Sequence, residues 1–241
     1  MSKVKTAIIT GASRGIGKSI AIGLAQEGYK TILLARNEVK LIETKNEIDK
    51  IIDGKNELEA EVHSINLSDF DKVKEVIRKV LDKNNRIDIL VNNAGIWRDG
   101  SVDLPVDEYK NLLDVNLVAP YIILQEVIPQ MKKQKSGYIF NISSRGGTYG
   151  FPQSGSYVSS KFAINGMSES LYRELAEYNI KVTALCPSYV NTDMAEEVGP
   201  TIGPDEMIQP IDIMKTINWL LSLSPAVYIK DVIIECQKKI K

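Results

Sequence analysis

The chain has two cysteines and a single histidine among its 241 residues. Cys186 and Cys236 are too few and too far apart for a disulfide framework or a zinc site, and both read as packing or inert thiols of a reducing cytoplasm. His63 stands alone on a strand-like segment and reads as structural, so a Ser-His-Asp hydrolase has nothing to be built on. Neither sign of charge is in excess. Thirty basic residues against 31 acidic ones leave a net charge of −1, which gives no footprint for nucleic acid or an acidic membrane. The lysines are scattered among glutamates, as on a solvated face. No apolar run approaches a membrane span. Lys3 and Lys5, then a short apolar run before Gly11, do not make a signal peptide. What remains is a chain of ordinary composition, 44% hydrophobic and 25% charged, long enough for one large domain over residues 1–241.

Short β-rich apolar runs alternate with longer helical patterns from end to end. The runs are Val4–Thr10, Thr31–Ala35, Glu61–Ile65, Ile87–Val91, Tyr138–Ile142, Ile180–Leu185 and Tyr228–Ile234. Helical stretches lie at about 16–28, 37–52, 69–83, 105–133, 155–178 and 211–222. Such alternation predicts an α/β fold, a doubly wound, mostly parallel seven-stranded sheet with helices on both faces. Residues 188–210 form the only long irregular stretch, of a length usual for a substrate loop. In this architecture ligands bind beyond the carboxyl ends of the strands. The informative residues do fall there.

The first strand runs into Thr10–Gly17, TGASRGIG. Gly11, Gly15 and Gly17 let the turn close and let backbone approach a pyrophosphate at the helix N-terminus, beside Ser13, Arg14 and Ile16. The second strand ends in Leu34-Ala35-Arg36. A carboxylate at that point favours NAD, whereas its absence, with arginine supplied, favours NADP. Arg14 and Arg36 can fork a 2′-phosphate, so NADP(H) is the expected cofactor. Tyr157 and Lys161 stand one helical turn apart in SYVSSK, thirteen residues after Ser144. Alone, such a pair is expected about once by chance in a chain like this. Its company gives it weight.

TGxxxGxG, Asn92-Asn93-Ala94-Gly95, Asn116, Ser144, Tyr-x-x-x-Lys and Pro187-x-x-x-x-Thr192, in that order, resemble the short-chain dehydrogenase/reductase family over residues 4–222. The resemblance implies a Rossmann-type domain and an oxidoreductase with Asn116, Ser144, Tyr157 and Lys161 as catalytic residues. It implies that Asn93, Ala94 and Gly95 flank the adenine ribose, that Asn66 and Leu67 meet the adenine, and that Pro187, Val190 and Thr192 contact the nicotinamide end. Tyr157 is expected to protonate a carbonyl oxygen, with Lys161 lowering its pKa and Ser144 orienting the substrate. A proton relay is implied from the tyrosine through ribose and lysine to a water at Asn116. Pro120 lacks the N–H that would bond the Asn116 carbonyl, which predicts a kink.

Three departures stand out: Asn66 where the family has Asp, Ser188 for the usual Gly, and a C-terminus without Gly-Gly. The last separates the chain from many 3-oxoacyl-carrier-protein reductases, which its middle resembles. Trp97, Tyr149, Phe151, Tyr189, Val190 and Met194 are candidates for an apolar pocket holding a small-molecule carbonyl substrate. An oxidative alcohol or sugar dehydrogenase and a non-catalytic nucleotide sensor are the alternatives. An acyl-carrier protein would want cations at the mouth; Lys132, Lys133 and Lys135 are available, but Tyr178 stands where such reductases carry arginine. The resemblance also implies a homodimer or homotetramer, paired through 105–133 and 155–178, with Leu112, Leu113, Leu117 and Val118 supplying apolar surface.

Overall fold

The computed structural model describes residues 4–199 and 202–239. The two ends of the expected domain, and residues 200–201 of the expected substrate loop, lie outside the described residues. Seven strands form one sheet in the order β3-β2-β1-β4-β5-β6-β7. They are β1 (Lys5–Thr10), β2 (Tyr29–Ala35), β3 (Glu61–Ser64), β4 (Ile89–Asn92), β5 (Gly137–Ile142), β6 (Ile180–Pro187) and β7 (Asp231–Ile234). Every neighbouring pair is parallel, so the sheet is wholly parallel rather than mostly so.

Both faces of the sheet are covered, and the alternation along each strand divides the core in two. Ala7, Ile9, Leu33, Ile89, Val91 and Phe140 pack with α1 (Gly15–Gln26), α2 (Glu38–Ile52) and α8 (Pro210–Ser222). Ile8, Ile32, Leu34, Leu90 and Ile139 pack on the other side with α3 (Phe70–Lys83) and α5 (Ala119–Gln134). Two buried faces are why these strands read as continuous apolar runs. Asn37 and Asp69 cap α2 and α3 through bonds from the N–H groups of Lys40 and Lys72, both 3.0 Å, each satisfying a donor the helix cannot.

Several boundaries move for identifiable reasons. β4 starts at Ile89 because the Gln134 amide takes both backbone groups of Ile87, at 2.9 and 2.8 Å, in place of a ladder partner. β7 is shorter than expected; Tyr228 instead packs edge-on against Tyr172 and the Ile229 carbonyl accepts from the Thr183 hydroxyl. α6 (Gly155–Glu174) gives way to a 3₁₀ turn at Ala176–Tyr178. Residues 188–210 are not irregular throughout. They hold α7 (Asp193–Val198), a 3₁₀ turn at Pro204–Glu206 and a parallel bridge between Val190 and Ile208.

The largest correction concerns residues 106–134. Together α4 (Val106–Leu113), a π turn at Asp114–Val118 and α5 make one continuous helix. By length and composition it passes for a membrane span, contrary to the sequence expectation. Its apolar content is explained by packing, since Leu112, Val115, Ala119, Ile122, Ile123, Leu124, Val127 and Met131 are all buried. At Pro120, where a kink is expected, the irregularity takes the form of a π turn. The Ala119 N–H bonds five residues back to the Asp114 carbonyl, so one widened turn absorbs the hydrogen bond that proline cannot make.

Candidate active site

A cavity of about 1120 Å³ opens over the carboxyl ends of the strands. It spans the crossover between β1 and β4, where the strand order reverses. On its floor the cofactor turn is locked to the loop after β4 by one hydroxyl. Thr10 Oγ1 accepts the N–H groups of Asn93 and Ala94 at 2.9 and 3.0 Å, and the Asn93 side-chain amide donates to the Thr10 and Gly11 carbonyls at 2.9 and 3.3 Å. Gly11 has φ +67°, a left-handed conformation that favours glycine. A Cβ on Gly17 would lie 2.2 Å from the Gly11 carbonyl oxygen. The first turn of α1 can therefore sit against the loop only because residue 17 is glycine.

Most of the expected residues line this one cavity. Gly11, Ser13, Arg14, Gly15, Ile16, Arg36, Asn66, Leu67, Asn93, Ala94, Gly95, Ser144, Tyr157, Lys161, Pro187, Val190 and Thr192 all do, as do the aromatic candidates Trp97, Tyr149, Phe151 and Tyr189, and Met194. Two do not. Gly17 is buried beneath the turn, and Asn116, 1% exposed, lies behind the wall. The Asn116 amide accepts from the Ile96 N–H at 2.8 Å and donates to the Ile96 carbonyl at 2.9 Å and to Ser160 Oγ at 3.1 Å. It ties the loop after β4 to α6.

Tyr157, Lys161 and Ser144 converge at the centre. Ser144 follows β5 and lies close enough to the Tyr157 hydroxyl to favour its ionised form; its Oγ accepts the Gly146 N–H at 3.0 Å. Lys161 Nζ donates to the Ile142 carbonyl at 3.0 Å and sits 5.6 Å from the centre of the Tyr157 ring. Burial dominates the titration of both. It pushes the Tyr157 phenol up to about 12, against the lowering influence of Ser144, and pulls Lys161 down to about 8. The phenol expected to be drawn down is instead raised: desolvation outweighs the lowering influence of Ser144.

Other expectations are also redrawn. Arg14 is engaged by Asp193, the first residue of α7, and does not stand open beside Arg36. Leu112 is core, and Leu113, Leu117 and Val118 are half-buried. The exposed apolar side chains on α5 and α6 are Tyr121 and Phe162. Lys132 is held by Glu174 at 3.1 Å and lies over the Tyr178 ring. His63 bonds Glu61 at 2.9 Å, and both cysteines are buried free thiols. Among the described residues no cluster suited to a metal occurs.

Among the lining residues that were missed are Lys40, Arg145 and Asp193. Lys40 stands one turn after Arg36 on α2, a spacing that could have flagged it. Arg145 bonds Glu235 and Thr148 and stacks over Tyr149 at 4.3 Å. Its partner is 90 residues away, beyond the reach of any local pattern.

Comparison with known proteins gives the same placement. Residues 5–203 match the family model described as short chain dehydrogenase. A 3-oxoacyl-[acyl-carrier-protein] reductase of Staphylococcus aureus is 35% identical over 231 residues, 92% of each chain. The crystal structure of a betaketoacyl-[ACP] reductase from Bacteroides thetaiotaomicron is 44% identical, covers 98% of both chains and has a TM-score of 0.85. That of a metagenomic short-chain oxidoreductase in complex with NADP is 33% identical over 97% of each, at TM-score 0.82. With the fold, the ordered motifs and the site in agreement, the chain belongs to the short-chain dehydrogenase family of oxidoreductases.

Proposed function

We propose that the protein is an NADPH-dependent carbonyl reductase that reduces a ketone to an alcohol, with Tyr157 as the proton donor. The observation that carries this reading is the convergence of Ser144, Tyr157 and buried Lys161 on one cavity large enough for a dinucleotide and a small substrate. The residues present fit NADP(H). Gly11 and Gly17 keep the cofactor turn seated against the loop after β4, where a Cβ would collide with Asn93 or with the Gly11 carbonyl. Ala35 places no carboxylate at the end of β2, and Arg36 and Lys40 line the same end of the cavity. Asn66 and Leu67 would take the adenine, Asn93–Gly95 its ribose, Lys161 the nicotinamide ribose, and Pro187, Val190 and Thr192 the nicotinamide end. When bound, the reduced nicotinamide supplies the hydride.

The chain's own task is to place the carbonyl and deliver a proton. Ser144 would donate to the substrate oxygen, holding it within reach of Tyr157. Held near 12, the phenol keeps its proton at neutral pH and releases it only to a stronger base, such as the alkoxide that forms on that oxygen. The proton passes from Tyr157 Oη to that oxygen, and the cation of Lys161 favours the phenolate left behind. Asn116 acts one layer out, fixing Ile96 and Ser160. Trp97, Phe151, Tyr189 and Met194 would exclude water around the substrate, with residues 188–210 as the substrate loop.

A second reading, reduction of a 3-oxoacyl group carried on a protein, is favoured by the activity for which two of the relatives are named. NADPH consumption with simple ketones, cyclic ketones and 3-oxoacyl thioesters separates the two, and no turnover with any of them would defeat both. The exposed Tyr121 and Phe162 support a homodimer or homotetramer through α5 and α6; a monomer by light scattering at micromolar concentration would contradict it.

A further inference from the structure

Arg14 and Asp193 join two parts of the cavity. Arg14 belongs to the cofactor turn, and Asp193 opens α7, the helix that roofs the substrate end. The two side chains form an ion pair, each half exposed, which makes the pair weak enough to exchange partners. α7 has little else to hold it, for Ala195 is its only buried residue. Its flanks are secured independently: the Ser188 N–H bonds Ile234 and the Asn191 N–H bonds Ile208, both at 2.8 Å. The segments on either side of the helix are tethered, and one guanidinium latches its first residue.

Asp193 also sits where an incoming anion would be drawn. Its carboxyl is held below the usual carboxylate range, first by the Arg14 hydrogen bond and in smaller part by the field of Lys40. Lys40 comes from α2, next to Arg36 at the end of β2. Cations from two elements therefore converge on a carboxylate supplied by a third.

We infer that Asp193 is a specificity-determining residue that stands in for the nucleotide's 2′-phosphate on Arg14, so that binding of the phosphorylated coenzyme takes Arg14 away from α7 and releases that helix. This rests on the NADP(H) reading above. The free protein keeps Arg14 paired and α7 latched. A nucleotide without the 2′-phosphate leaves the latch closed.

The test is binding, not turnover. Asp193→Asn keeps the shape at a half-exposed position and removes the competing charge. It should tighten NADPH and the probe 2′,5′-ADP by about three- to fivefold, the upper part of the range expected for a half-exposed ion pair, while NADH and 5′-ADP stay within about twofold. In the unaltered protein, 2′,5′-ADP should speed amide hydrogen exchange across 193–198 and 5′-ADP should not; Arg14→Ala should show the fast exchange without any nucleotide. Weaker NADPH binding by Asp193→Asn, an equal shift for all four nucleotides, or slower exchange on adding 2′,5′-ADP would overturn the latch. A wild-type protein that binds 5′-ADP as tightly as 2′,5′-ADP would remove the coenzyme reading and the latch with it. A clear NADPH preference left unmoved by Asp193→Asn removes the latch alone.

Discussion

The two halves of the cavity are built on different principles. Around β1 and β4 the nucleotide half is made of backbone and buried polar groups: Thr10 Oγ1, the Asn93 amide, and Gly11 and Gly17, the second of which has no room for a Cβ beside the first. The half around β6 and residues 188–210 is made of side chains on short elements: the half-buried Phe151 and Tyr189, the exposed Tyr149, and a six-residue helix with one buried position. A backbone cradle leaves little room for variation, because each hydrogen bond is fixed by the sheet register. A side-chain wall over a lightly held helix can change its contents without disturbing the fold. The contrast explains how a chain can share one chemistry with its relatives and differ in substrate.

The sharpest way to break this contrast is at the seam between the halves. Tyr157→Phe should lower kcat by about two to four orders of magnitude and leave NADPH binding nearly unchanged; normal turnover of ketones by the variant would show the tyrosine mechanism to be wrong. Within the nucleotide half, Arg36→Asp should change the NADPH to NADH ratio of kcat/KM by at least about tenfold, since one charge-assisted bond is worth roughly 1.5–3 kcal/mol. An unchanged ratio would mean that the end of β2 does not read the 2′-phosphate.

Lys161→Met probes what burial costs at the seam. The folded-state pKa of about 8 lies below the unfolded value, so between the two the unfolded chain binds more protons. Stability gains with rising pH across that window, and the penalty of burying the charge is fully present below pH 8. The variant should lose activity yet melt several degrees higher at pH 7, up to about 3 kcal/mol more stable. That advantage should shrink as the pH approaches 10.5. A lower melting temperature at pH 7 would show that the bond to Ile142 outweighs desolvation.

Smaller effects follow further out. Pro120→Ala restores a backbone donor and should let the π turn relax toward α geometry, loosening Asn116 from Ile96. Turnover should slow about several-fold, with NADPH affinity kept; an unaltered kcat would make the widened turn incidental. Phe151→Ala in the substrate half should raise KM for a bulky ketone only a few-fold, on the order of 1–3 kcal/mol for lost apolar contact, with no change in coenzyme binding. A large loss of coenzyme affinity here would mean that the halves are not separable.

The same division decides what could be read in the chain beforehand. TGASRGIG, Asn92–Gly95 and the Tyr157/Lys161 pair are legible because their spacing is imposed by a turn, a strand end and a helix, each local. The wholly parallel sheet follows from runs apolar on both faces. The Arg14–Asp193 and Arg145–Glu235 pairs depend on segments that meet only through the fold, so no spacing announces them. Pro120 marked the place of an irregularity in the long helix but not its form, because a missing N–H can be absorbed by a bend or by a wider turn. The titration of Tyr157 was misjudged for a similar reason. The sequence shows the neighbouring charge and hides the depth of burial.

The lock between Thr10 and Asn93 has a consequence for how the chain assembles. Its partners lie 83 positions apart, and parallel pairing of β1 with β4 needs the intervening crossovers in place before this lock can close. Contacts of such range are laid down late and slowly. No early folding intermediate therefore offers a nucleotide anything to grip, and added coenzyme should slow unfolding and raise the melting point by mass action on the finished molecule while leaving the refolding rate where it was.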